Sequence, residues 1–99
     1  MSYRILSAAE SELAAAAAWY EAQAPGLGEE FLDEFVATMA RVDRFPEAWM
    51  RVGARHRRCL FRKFPYAVLY SLQGSDVAIA GVIDLRQDPG RTDRRREET

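Results

Sequence analysis

The sequence predicts an α+β fold: an N-terminal antiparallel helix hairpin packed on a small antiparallel sheet, in the order β-α-α-β-β-β. Three observations predict it. Apolar residues recur at helical spacing in two segments of the first half. Pro25-Gly26 leaves only a few residues between those segments, so the helices must fold back on each other. Beyond Gly53 the apolar period falls to two, and a sheet follows.

Tyr3–Leu6 is short and apolar and reads as a strand. Ser7 stands three residues before Glu10, a capping-box spacing that starts the first helix. Leu13, Ala16, Ala17 and Tyr20 share one face of it, and its many alanines allow a neighbour to approach closely. The second helix runs from about Gly28 to Arg44. Glu29 and Glu30 in its first turn and Arg41 and Arg44 in its last suit the helix dipole. Leu32, Phe35, Val36, Met39 and Val42 form its expected apolar stripe, with Phe31 adjoining. Pro46 stops it, and residues 46–56 read as a loop. Arg57–Phe64 is predicted as a strand, Pro65 as a corner, Tyr66–Leu72 as a second strand, Gln73–Asp76 as a hairpin turn and Val77–Asp84 as the last strand. Residues 1–89 are expected to form a single domain, and residues 90–99, almost without apolar side chains, a polar tail.

Strand alternation sorts the side chains. Cys59, Phe61, Tyr66, Val68, Tyr70 and Leu72 should face the helices. Arg58, Leu60, Arg62, Ala67, Leu69 and Ser71 should face away. A surface that mixes cations with exposed Leu60 and Leu69 is predicted to meet a protein partner, because the tail is too polar to cover it.

The net charge of −1 hides an asymmetry. Residues 1–50 hold three arginines and nine acids; residues 51–99 hold eleven Lys/Arg and six acids. The cations concentrate at Arg55, Arg57, Arg58, Arg62 and Lys63 beside His56, with Arg86 and Arg91 beyond the last strand. Two readings stand: a solvated, aggregation-resistant strand edge, or a surface for carboxylates or phosphates, which arginine binds bidentately. His56 is the single histidine and reads either as a polar loop residue or, held neutral by the cations beside it, as a general base. No His or Cys joins it with metal-ligand spacing, so neither a metal nor another cofactor is implied. "GLGEE" at Gly26–Glu30 reads as a turn and cap, since two acids there would repel a phosphate. Trp19 lies off its helix's best apolar stripe and is an interface candidate. No apolar stretch of about 20 residues predicts a membrane span. The N-terminus lacks signal-peptide features, and the lone Cys59 fits a reducing cytoplasm.

Four stretches, in order, resemble the RelE/ParE toxin superfamily of bacterial type II toxin–antitoxin modules. They are "AWYEAQAPGLGEEFLDEF" (Ala18–Phe35), "FP" (Phe45-Pro46), "RRCLFRKFPYAVLY" (Arg57–Tyr70) and "VIDLRQDPGR" (Val82–Arg91). The resemblance implies the same β-α-α-β-β-β fold and one of two mechanisms. RelE-like members cut mRNA on the ribosome with Lys/Arg side chains, often helped by a C-terminal Tyr; ParE-like members make no cut and poison DNA gyrase. In the ribonuclease pattern the first strand cation falls on Arg58 and the cation after the last strand on Arg86. The other two cationic positions fall on Leu60 and Ala67, and no Tyr follows Tyr70. Losing one transition-state donor typically costs about 2.7–4 kcal/mol. The resemblance therefore implies a ParE-like, plasmid-stabilisation toxin with no catalytic residue of its own. It would inhibit growth through DNA gyrase and be neutralised by a ParD-like antitoxin, meeting nucleic acid only through the toxin–antitoxin complex. A RelE-like endoribonuclease and a non-toxic binding module are the alternatives. Asp84 stands where relatives commonly have His, and "PGRTD" lacks the Trp that often follows. The expected contacts with target or antitoxin are Arg55, His56, Arg57, Arg58, Leu60, Arg62, Lys63, Ala67, Leu69, Arg86 and Arg91, with a further antitoxin groove at Trp19.

Overall fold

A computed structural model describes residues 2–87. Its elements are β1 (Tyr3–Ile5), α1 (Ser7–Gln23), α2 (Leu27–Arg44), β2 (Met50–Val52), β3 (His56–Leu60), β4 (Tyr66–Gln73) and β5 (Asp76–Asp84). All five strands join one sheet in the order β1-β5-β4-β3-β2. The helix hairpin on a sheet is as the sequence predicts, with two differences. The sheet is mixed, because β1 runs parallel to β5 (Tyr3↔Val77, Ile5↔Ile79). Parallel neighbours need a long crossover, and here the helix hairpin and three strands lie between them. In addition, β2 forms where a loop was expected, pairing Met50 with Arg58 and Val52 with His56. Three residues are too few to show an alternation, and Gly53 at φ +70° supplies the turn back into β3.

Other boundaries also shift. The first strand of the hairpin pair ends at Leu60, not Phe64. Phe61 N–H donates to the Tyr66 carbonyl at 2.9 Å and Tyr66 N–H to the Phe64 carbonyl at 2.8 Å, so residues 61–65 form the corner. The β4–β5 turn is the two-residue Gly74-Ser75, with Gly74 at φ +66°. Ser7 is the first helical residue rather than the cap: Leu6 is the N-cap, without a side-chain hydrogen bond.

The helices meet through small residues and one carboxylate. A Cβ on Gly28 would stand 2.6 Å from the Ala17 carbonyl oxygen, so only glycine permits this approach. Glu21 accepts the N–H groups of Gly26 and Gly28 at 3.0 Å, closing the N-terminus of α2 with a negative charge. The buried face of α2 carries Phe31, Glu34, Phe35, Thr38, Met39 and Val42. Leu32 and Val36, assigned to the stripe from the sequence, are exposed. Each follows a buried phenylalanine, and one residue is about 100° of helix. Phe31 organises the core, with its ring centroid 5.3 Å from Tyr20, 5.1 Å from Phe64 and 4.9 Å from Tyr66.

The sheet separates two apolar clusters. Cys59, Phe61, Tyr66, Val68, Tyr70, Val77, Ile79 and Val82 pack with the helices. On the other face Leu69, Ala80 and Ile83 form a smaller cluster flanked by Leu6 and Val52. Ala67 and Leu69 are therefore buried, both at 0% exposure, contrary to the expectation that they are solvent-facing. The cause is tertiary. Central β4 places Leu69 between Arg58 of β3 and Gly81 of β5. Val52, on the strand not anticipated, supplies another wall.

Candidate functional site

The residues expected to form one cationic surface fall into four environments. Arg57 lies on the helix-covered face of β3, paired with Tyr70. Its Nη1 donates to the carbonyls of Glu47 and Trp49, each at 2.9 Å, so it pins the segment after α2. His56 is buried at the start of β3 rather than lying in a loop. It lines a shallow depression of about 330 Å³ with Arg55, Ser71 and Gln73. Arg55 is exposed at the rim. Arg86 is held by Asp84 through Nε and Nη2 at 2.9 and 3.0 Å, beside the Tyr66 ring. The same contacts hold the Asp84 carboxyl below the usual carboxylate range and raise the Arg86 guanidinium. Trp19, 52% exposed, lies in a separate depression of about 270 Å³ between α1 and β5. Arg91 lies outside the described residues.

Arg58, Leu60 and Arg62 do come together. They line a groove of about 390 Å³ with Arg41, Trp49 and Met50. Leu60 is 50% and Met50 60% exposed, which makes an apolar strip at the sheet margin. The strip follows from register: Met50 pairs with Arg58, and Leu60 with Ala67. Arg58 thus stands between exposed Met50 and buried Leu69. Its Nε is buried without a hydrogen-bond partner among the described residues. An unsatisfied buried donor costs about 1–3 kcal/mol, so this atom favours any acceptor that reaches it.

Two residues that sequence reasoning missed hold the groove's shape. Arg41 Nη2 donates to the Leu60 carbonyl at 2.9 Å and to Thr38 Oγ1 at 3.1 Å, fixing its head at one end. Buried Glu34 accepts the backbone N–H groups of Arg62 and Lys63, the latter at 3.2 Å. Both side chains remain exposed. A signal for Glu34 was present: it lies three residues after Phe31 and one before Phe35, inside the apolar stripe, where an acid requires a partner.

Among the described residues, none that lines the groove carries a hydroxyl, thiol, carboxylate or imidazole. Burial pushes the Cys59 thiol up, only partly offset by Arg41, and its side chain faces the helices. Burial also pushes the Tyr70 hydroxyl up to about 12; it donates to the Pro46 carbonyl at 2.7 Å. Of the four ribonuclease-pattern positions, Leu60 and Ala67 bear no charge and Arg86 is engaged by Asp84, which leaves Arg58.

No helix among the described residues is long and apolar enough to cross a membrane. No curated protein matches the chain. A solved structure, the chromosomal ParDE TA system from P. aeruginosa, is similar in fold, with a TM-score of 0.64 and 14% sequence identity. The match covers 87% of this chain and 97% of that one. The family model for the ParE toxin of the type II toxin-antitoxin system, parDE, matches residues 3–89. Spanning the helix hairpin and every strand, that match shows that the chain belongs to the ParE toxin family of type II toxin–antitoxin systems.

Proposed function

We propose that this chain is a cytoplasmic growth-inhibiting toxin that acts on DNA gyrase without catalysing a reaction of its own, and that a cognate ParD-like antitoxin neutralises it. One observation carries the reading: the positions where a ribonuclease relative would place cations are Leu60, which is half-exposed, and Ala67, which has no exposed surface. Phosphoryl chemistry on RNA needs charge stabilisation at the phosphorus and activation of the 2′-hydroxyl. Of the pattern positions only Arg58 is left to offer the first, so a nuclease would have to rebuild its site from Arg62 and its neighbours. His56, buried on β3, is poorly placed for the second. Family membership supports the toxin–antitoxin assignment.

The test is to induce the protein alone and score growth, DNA damage response and mRNA ends together, with a supercoiling assay on purified gyrase. The expected result is growth arrest, DNA damage and inhibited or trapped gyrase, with intact transcripts. Arrest with gyrase unaffected would overturn the target. Transcript cleavage abolished by Arg58→Ala would establish the ribonuclease alternative. Normal growth would identify a non-toxic binding module.

A further inference from the structure

We propose that the groove between the last turns of α2 and the β2–β3 margin is the anchoring site for a short segment of a partner protein that combines acidic and apolar side chains. One carboxylate would lie between Arg58 and Arg62, and an apolar side chain would rest on Leu60 and Met50. The inference rests on the reading above in taking that partner to be the antitoxin, and it names the part of the toxin surface that holds it.

Charge and apolarity together select this occupant. Arg58 and Arg62 carry no hydrogen bond or ion pair from their guanidinium groups among the described residues, and Arg58 presents a buried Nε. Arg41 adds a third guanidinium that is already oriented by Leu60 and Thr38. Between them lies exposed aliphatic surface from Leu60 and Met50. A nucleic-acid backbone would use the cations but gain nothing from that floor. A carboxylate-bearing apolar segment uses both, through charge-assisted bonds at the rim and burial at the centre. A second copy docked through this same groove would bring arginines against arginines. The chain's own residues 88–99 contain four arginines, four acids and no aliphatic or aromatic side chain to fill the floor.

Selection of displayed random peptides on the full chain tests this. Enriched sequences should combine Asp or Glu with Leu, Ile or Phe, and their binding should weaken at high salt. Arg62→Glu, an exposed change that leaves the core intact, should weaken them roughly tenfold or more. Arg58→Glu and Leu60→Asp should do the same, while Val36→Ser on exposed α2 should leave them unchanged. Peptides without acids, or peptides bound equally by the Arg62→Glu protein, would overturn the proposal. So would self-association or single-stranded oligonucleotide binding that Arg62→Glu and Leu60→Asp abolish in preference to peptide binding. Gyrase inhibition measured on the same proteins separates the two readings. Acidic peptides held by a protein that leaves gyrase untouched would sink the target assignment and keep the groove. Gyrase inhibition by a protein that selects no acidic peptide would do the reverse.

Discussion

The carboxylate of Glu34 accepts the backbone N–H of Lys63 at 3.2 Å, and the N–H of Arg62 beside it, from the buried face of α2. One acid thus ties the helix hairpin to the corner that presents Arg62. Hydrogen bonds to a charged group contribute about 1.5–3 kcal/mol, and removal leaves two partly buried donors unpaired. Glu34→Ala is expected to lower stability by about 2–3 kcal/mol in urea denaturation. Glu34→Gln, which keeps an acceptor oxygen, should cost less. No loss for Glu34→Ala would mean that these two hydrogen bonds are not what holds the corner.

Gly28→Ala sets helix propensity against packing. Alanine is favoured over glycine by about 0.8–1.0 kcal/mol in a helix interior. The added Cβ, however, would stand 2.6 Å from the backbone oxygen of Ala17 and 3.0 Å from the Glu21 Cβ. Overpacking costs about 1–3 kcal/mol, so a net destabilisation of up to about 2 kcal/mol is expected. A thermal melt that rises on this substitution would show that the helices separate without cost.

Tyr70 makes stability fall at high pH. Its folded hydroxyl titrates at about 12, against an ordinary value of 10.0. Between those values the unfolded chain has lost the proton and the folded one has kept it, so stability declines as pH rises through that window. Tyr70→Phe should flatten part of this decline; Tyr66 and Cys59, both also raised by burial, contribute to what remains. At neutral pH the same change should cost about 1 kcal/mol through the lost bond to Pro46. Urea midpoints from pH 7 to 12 measure both effects.

Asp84 acts at the acid end. Its folded carboxyl titrates below the usual range because Arg86 hydrogen-bonds to the charged form. Its contribution is complete above the unfolded carboxylate value and fades as pH falls through the folded one. Asp84→Asn should remove that acid-side loss. It should also free Arg86, visible as a stronger salt dependence of binding to polyanions. An unchanged acid titration of stability would show that the pair contributes nothing measurable.

The fold was legible because its signals are local and long. Two helical segments joined at Pro25-Gly26, and two alternating strands joined at Gly74, each declare themselves within the chain. β2 was not legible, since three residues carry no period. The parallel pairing of β1 was equally hidden, since nothing in Tyr3–Ile5 distinguishes Val77 as a partner. Of the candidate site, Arg58, Leu60 and Arg62 were read as a shared surface from alternation alone, and they do line one groove.

The sequence by itself determined the helix hairpin, the β3–β4–β5 order, the cationic second half and the absence of charge at positions 60 and 67. Those properties depend on residue identity and spacing along the chain. Only the tertiary structure decided which cations remain available. It turned Arg57 inward to the carbonyls of Glu47 and Trp49, tied Arg86 to Asp84, and buried His56. It also covered Leu69 and Ala67, which alternation had left facing solvent, through β2 and the neighbouring strands. Alternation states which face a side chain takes. Whether that face meets water depends on residues distant in sequence, and their positions are set by packing.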